Sequence, residues 1–307
     1  MVIVTGPGQH EQKGEVRENM TFSIEQSLRG TDLVLTGDWS SAAQDVFLDG
    51  RADGLILNYA RGFREQPIDF IQGLPIRKLN LLARSVSDLT PIYSLAATLQ
   101  ELLVQSDPRA VIDLEELPNL NTLAASWPQI RGSVKFASHI ADLSVASFSE
   151  RDLEDLSSLS SLTSLSMKER PRLHSLDGVE AFPWLAHLGV YWARPLKDIT
   201  ALQRAASPIL QSLQLPMCKN VTDVSPVSYC PSLQFFELSK GAEIPTVAPL
   251  SSLKGLETLY LYGSTKVADG DLRPIAGLPR LNDFRMMNRN NYKPSVRDIA
   301  AAIKLRS

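Results

Sequence analysis

The strongest constraint on this chain is a period. The pattern apolar-x-x-Leu-x-apolar returns with its central residue at Leu33, Leu55, Leu79, Leu102, Leu123, Leu143, Leu165, Leu188, Leu213, Phe236, Leu259 and Phe284, at intervals of 20 to 25 residues. Across the three apolar columns of these twelve units 35 of 36 positions are apolar, Gly30 being the exception, where the 44% hydrophobic composition alone would give about 16. A length of 307 residues would otherwise suggest two globular domains at roughly 150 residues each. The unbroken period argues instead for one extended array. Leucine supplies 45 residues, a third of the apolar material, so a single core environment is used repeatedly; irregular cores mix shapes to reach close packing.

In Leu-x-Leu the alternate residues of a short strand point to one face, so both leucines go inward and the residue between them goes to solvent. Ahead of each strand lies a second apolar pair at helical or 3-10 spacing, as in Asp198-Ile199-x-x-Leu202, Asp223-Val224-x-x-Val227, Val247-x-x-Leu250 and Asp271-Leu272-x-x-Ile275. Asp at the start fits an N-cap, and Pro226, Pro249 and Pro274 keep these segments short. No unit can bury its leucines alone, and stacking creates the continuous core. The expected fold is an α/β solenoid with a concave parallel β-sheet and short helical, 3-10 or irregular convex segments.

The clearest units, Leu162–Met167 (LTSLSM), Leu185–Val190 (LAHLGV), Leu210–Leu215 (LQSLQL), Leu233–Leu238 (LQFFEL) and Leu256–Leu261 (LETLYL), resemble leucine-rich repeats. The resemblance covers residues 28–289, about 12 repeats, and is nearest the short bacterial and SDS22-like kinds of 22–24 residues. Surface-attached internalins match less well, since neither an export signal nor a wall-anchor tail is visible. One family feature departs: the column five residues after the central leucine, often Asn or Cys, reads Asp38, Ala60, Arg84, Asp107, Pro128, Phe148, Arg170, Ala193, Cys218, Gly241, Ser264 and Arg289. Irregular turns are therefore expected there. Residues 1–27 are expected to form an N-terminal cap, with Val2-Ile3-Val4 as a strand and a helix around Ser23 to Leu28, and residues 290–307 a C-terminal capping helix with Val296, Ile299, Ala300 and Ile303 on one face.

Motifs for chemistry are sparse. Gly6-Pro7-Gly8 follows an apolar run but lacks the G-K-[ST] end of a phosphate loop, since the order is Lys13-Gly14. His10, His139, His174 and His187 have no second ligand at metal spacing, and Cys218 and Cys230 form neither a disulfide framework nor a zinc site. Asp152, Glu154 and Asp155, interleaved with Leu153 and Leu156, read as the solvated face of a short helix. No catalytic, cofactor-binding or metal residues are assigned, and no cofactor is expected. A net charge of −3 with 21% charged residues indicates neither disorder nor an extended polyanion surface, although a small basic patch remains open. With no signal-peptide pattern and no apolar run of ~18 residues, a cytoplasmic monomer is expected.

The outward strand positions of the last repeats carry the candidate binding residues: Lys168, His187, Tyr191, Trp192, Gln214, Phe235, Glu237, Tyr260, Tyr262, Arg285 and Met287. Tyr, Trp, Arg and Met are the types enriched in interface cores. Trp127 and Trp184 are weaker additions. The function expected is a non-catalytic module that binds a partner protein through the concave face, as a scaffold or an intracellular inhibitor such as an immunity protein. Alternatives are a carbohydrate or small-ligand binder and the substrate-recognition subunit of an enzyme. Neither nucleic acid nor membrane is expected as a partner.

Overall fold

The computed structural model describes residues 21–64, 67–204 and 209–306. Val2-Ile3-Val4, Gly6-Pro7-Gly8, His10 and Lys13-Gly14 lie outside the described residues. Thirteen strands form one sheet in chain order: β1 (Phe22–Ser27), β2 (Gly30–Leu35), β3 (Gly54–Asn58), β4 (Lys78–Leu82), β5 (Glu101–Gln105), β6 (Thr122–Ser126), β7 (Asp142–Ala146), β8 (Ser164–Lys168), β9 (His187–Val190), β10 (Ser212–Gln214), β11 (Phe235–Glu237), β13 (Thr258–Leu261) and β15 (Asp283–Met286). Two short strands, β12 (Glu243–Ile244) and β14 (Lys266–Val267), pair separately. From β2 onward every pairing is parallel, and the twelve central residues from Leu33 to Phe284 are successive Cα partners. The period in the sequence is thus the register of the sheet.

The three apolar columns are buried throughout except at Gly30 and Phe284, which are half-buried. The convex side closes this core. Ile199 and Leu202, Val224 and Val227, Val247 and Leu250, and Leu272 and Ile275 are buried from short 3-10 or α turns. Three of these turns begin beside an aspartate, which stands one residue ahead of the N-cap position expected for it, at Ile199, Val224 and Leu272, while Thr246 takes its place before Val247. The carboxylates of Asp198, Asp223 and Asp271 accept the backbone N–H two residues on, at 2.9, 2.8 and 3.0 Å. Asp88, Asp113 and Asp152 repeat the arrangement. Each bond satisfies one of the donors that a helix start leaves free.

At the other end of each strand the chain must turn outward without an asparagine ladder. The fourth residue after the central one is left-handed at Ser147, Glu169, Trp192, Met217 and Lys240, with φ from 55° to 64°, and at Gly263, with φ of 80°. At four of these corners the N–H reaches the next repeat, and Ala83, which is not left-handed, makes the same bond to the Gln105 carbonyl at 3.0 Å. Ser147 donates to the Lys168 carbonyl at 3.1 Å, Trp192 to Pro216 at 2.9 Å, Met217 to Ser239 at 2.8 Å and Lys240 to Tyr262 at 2.7 Å. A backbone ladder therefore does what a side-chain ladder does in the usual repeat. Two members of the expected column still contribute a side chain, the Cys218 Sγ–H donating to the Val190 carbonyl at 3.3 Å and the Ser264 hydroxyl to the Gly241 carbonyl at 2.9 Å.

The N-terminus corrects one expectation. Ser23 to Leu28 does not form a helix: Phe22–Ser27 is a strand that pairs antiparallel with β2 through a tight turn, Ser27 lying opposite Gly30. Gly30 takes φ of 118° there, and pairing with β2 supplies the backbone partners that local helix bonds would have supplied. A charge link stiffens this end. Lys78 on β4 reaches over Gly54 on β3 to Asp32 on β2, 2.6 Å away, and a Cβ on Gly54 would stand 2.0 Å from that carboxylate. At the far end the helix Val296–Lys304 buries Val296, Ile299 and Ile303, with Ala300 half-buried, and Ser295 and Asp298 cap it reciprocally.

The corner geometry has a measurable consequence at Lys240, which is exposed and left-handed. Lys240→Gly relieves about 1 kcal/mol of left-handed strain against a similar loss in chain entropy, so its stability should stay within about 1 kcal/mol of the parent. Lys240→Val places a β-branched residue there and should destabilise by about 1–2 kcal/mol. Urea unfolding of the two variants separates these outcomes; equal stabilities would contradict the strained corner.

Candidate functional site

All eleven residues singled out from the sequence sit on the concave face or its C-terminal rim. His187 and Phe235 precede the central leucine-like residue of their strands; Gln214, Glu237, Tyr260 and Arg285 follow it; Lys168, Tyr191, Tyr262 and Met287 stand two residues further on; Trp192 occupies the corner. Because strands are about 4.8 Å apart, residues some 23 positions apart in sequence become neighbours.

Two groups form. In the first, Phe235 packs edge-on against Tyr260 with ring centroids 5.3 Å apart, and the Arg285 guanidinium covers the Tyr260 ring at 4.6 Å. The Tyr260 hydroxyl donates to Asp283 at 2.5 Å, and Arg285 donates to the same carboxylate at 3.1 and 3.2 Å. Burial works to raise the Asp283 pKa, but hydrogen bonds from Tyr260 and Arg285 and the guanidinium charge outweigh it and leave the carboxyl below its ordinary value. The bond to Asp283, burial and that carboxylate's charge push the Tyr260 phenol up. In the second group the Tyr191 hydroxyl donates to Gln214 at 2.7 Å, and burial, with the Glu237 charge behind it, raises the Tyr191 phenol.

Gly189 makes the second group possible. A Cβ there would stand 2.7 Å from the Tyr191 ring, so the absence of a side chain lets the ring lie down over β9 toward β10. A third contact lies at the rim, where the Arg170 guanidinium covers the Trp192 ring at 4.6 Å. Lys168, His187, Tyr262 and Met287 stand exposed around these groups.

Three contributors were missed in the sequence. Asp283 shares a strand face with Arg285 two residues on, a spacing that could have been read. Gly189 and Arg170 could not, since their roles arise from ring positions fixed by the fold. Trp127 is not outward at all: it is buried, packs on Phe148 at 4.7 Å between ring centroids and donates to Glu150 at 2.7 Å. Trp184 is exposed four residues before Leu188, away from both groups. Further toward the N-terminus the outward columns shrink to Ala124, Ser126, Ser144 and Ala146, which floor a hollow of about 670 Å³ walled by Leu82, Leu103 and Lys168.

The other residues examined for chemistry are held in structural roles. Burial pushes the Cys218 thiol up to about 12 and the Cys230 thiol to about 11, so both are protonated at neutral pH and poor nucleophiles. His139 contacts the Leu117 carbonyl and His174 the Arg172 carbonyl through one ring nitrogen each. Glu154 and Asp155 lie exposed on the turn Glu154–Leu156, as the sequence suggested.

Tyr191 offers a direct check of this geometry. The Tyr191→Phe difference in an absorbance titration should locate its phenol above the ordinary 10.0. In a Gly189→Ala background the ring is displaced into solvent, and the same difference titration should move back toward 10.0, at a stability cost of no more than about 1 kcal/mol because the ring can swing aside. An unchanged titration would show that Gly189 does not control the ring.

No protein-family model matches the chain, and no curated protein matches it in sequence. Solved structures do match in shape. An internalin (InlF) from Listeria monocytogenes aligns over 85% of this chain and 83% of its own at 18% identity with a TM-score of 0.55. An LRR protein of Leptospira interrogans aligns over 83% of this chain and 59% of its own at 16% identity with a TM-score of 0.49. At such identities the likeness speaks to the fold. The likeness to the internalin, together with the thirteen-stranded ladder and its convex turns, shows that this chain has the fold of a leucine-rich-repeat solenoid.

Proposed function

We propose that this protein is a non-catalytic interaction module that binds a partner protein through the concave face of its C-terminal repeats, as a scaffold or an intracellular inhibitor. In this reading residues 1–27 and 290–307 close the ends of a repeat array spanning 28–289, and the protein acts as a cytoplasmic monomer. The observation that carries it is the set of large side chains on adjacent strands: Tyr191, Phe235, Tyr260 and Tyr262, with Gln214, Glu237 and Arg285 between them. Tyr191, Gln214, Phe235, Glu237 and Tyr260 are half-buried and Tyr262 is exposed, so the patch offers area while several of its polar tips are already oriented. Side chains held this way lose less entropy on binding.

The same geometry supports a protein partner over a sugar. A carbohydrate would stack on an open aromatic face, whereas Arg285 covers Tyr260 and Arg170 covers Trp192. Among the described residues no helix is long and apolar enough to cross a membrane.

The test uses the tagged chain to recover a partner from the source cell, followed by affinity measurement with the purified pair. Replacing Tyr191, Tyr260 and Tyr262 together by Ala should weaken binding at least a hundredfold, in line with hot-spot truncations, while the cooperative unfolding transition persists. Undiminished affinity in the folded triple variant would overturn the patch.

A further inference from the structure

The charge distribution along the C-terminal rim carries an inference about what the partner looks like. The stretch from the third to the sixth residue after the central leucine forms the corner where each strand turns outward. In the four successive repeats centred on Leu165, Leu188, Leu213 and Phe236 this corner contains Lys168, Arg170, Arg194, Lys219 and Lys240 against one carboxylate, Glu169. All five cations are exposed. Among the described residues none of the five makes an ion pair; exposed cations such as Lys135, Lys254, Arg280 and Arg297 make none either, and what sets the five apart is their grouping on successive corners. In a chain with a net charge of −3, an unneutralised row of cations is a local feature and not a reflection of overall composition.

The row is also held in place. The backbone bonds from Trp192 to Pro216, Met217 to Ser239 and Lys240 to Tyr262 pin successive corners at strand spacing, about 4.8 Å apart. Like charges gathered on neighbouring corners repel, and an anionic segment lying along the rim would relieve that repulsion. Four corners span about 15 Å, the reach of about five residues of extended chain.

Carboxylate groups suit this rim better than nucleic acid. Binding a single strand without base pairing relies on open aromatic faces for the bases, and the face of Trp192 is taken by Arg170. A guanidinium stacked in this way still presents its N–H edge outward, the fork that accepts a carboxylate in two hydrogen bonds. We propose that the rim formed by Lys168, Arg170, Arg194, Lys219 and Lys240 binds an extended acidic segment, rich in Asp or Glu, of the protein that occupies the concave face. This rests on the protein-interaction reading and adds the chemistry of the partner to it.

The experiment uses calorimetric titration of the full chain with octaglutamate and, separately, with a twelve-nucleotide oligo-dT, at low and at 0.3 M salt. One variant replaces Lys168, Arg170, Arg194 and Lys219 by Gln; a control with the same change in net charge replaces Lys135, Lys254, Arg280 and Arg297, which are exposed elsewhere. The expected result is binding of octaglutamate that weakens at 0.3 M salt, weakens at least tenfold in the rim variant and stays within twofold in the control. No octaglutamate binding by the parent, or equal loss in both variants, would overturn the rim as a site. Tighter binding of oligo-dT than of octaglutamate would overturn the assignment to protein carboxylates. The Tyr191, Tyr260 and Tyr262 triple variant, which leaves the rim cations in place, should bind octaglutamate as the parent does. Failure of the rim therefore stays separate from failure of the concave patch.

Discussion

Everything in this structure depends on one stacking relation: each repeat buries its leucines against its own convex turn and against its two neighbours. A buried leucine contributes roughly 1.5–3 kcal/mol relative to an exposed one, yet a single strand and turn presents too little surface to enclose even one. The inward columns are consequently almost invariant in type, running from Leu33 to Phe284 as partners across the sheet. Stability in such an array accumulates as nearest-neighbour contributions, which leaves the outward columns free to vary without threatening the core.

Closing each turn is the second requirement, and here the chain departs from the usual solution. A side-chain ladder of asparagine would tolerate many backbone conformations at the corner. Where backbone donors replace it, Ser147, Trp192, Met217 and Lys240 donate from a left-handed corner, whereas Ala83 makes the same bond to the Gln105 carbonyl at 3.0 Å without one. Gly263 takes the same conformation without a Cβ to strain it. The penalty of about 1–2 kcal/mol for such a corner is offset at Ser147, Trp192, Met217 and Lys240 by a hydrogen bond and by a fixed exit direction. That fixed direction matters beyond folding, because the residues around each corner become a regular row on the rim.

The sheet register was legible in the sequence because three columns at a near-constant period leave no room for a slip, and the aspartates that open the convex turns were legible because the carboxylate and the N–H it accepts are two residues apart. Ser23 to Leu28 was misread for the opposite reason. Its conformation is set by pairing with Gly30–Leu35, whose need for an antiparallel partner is invisible from local composition. The corners escaped notice because left-handed backbone is ordinarily signalled by glycine, and five of the six are not glycine. At the candidate site the positions of Tyr191, Phe235, Tyr260 and Arg285 followed from alternation along each strand. Their contacts did not, because Phe235 on Tyr260, Arg285 on Tyr260 and Tyr191 on Gln214 depend on rotamers and on the missing side chain of Gly189.

The floor and the rim of the C-terminal repeats differ in how their charges are used, and the difference assigns them different work. On the floor Asp283 is held by Tyr260 and Arg285, and Gln214 by Tyr191, so these polar groups are oriented before a partner arrives. Such a surface contributes chiefly through buried aromatic area and slow dissociation. At the rim the cations are exposed and, among the described residues, without ion-pair partners, and their field extends about a Debye length, ~8 Å, into solution at physiological salt. Such a surface governs encounter rate and orientation more than final affinity. A partner steered along the rim by its carboxylates would meet the tyrosines already in register, because both columns are fixed by the same strand spacing. The solenoid thereby couples the two without any moving part.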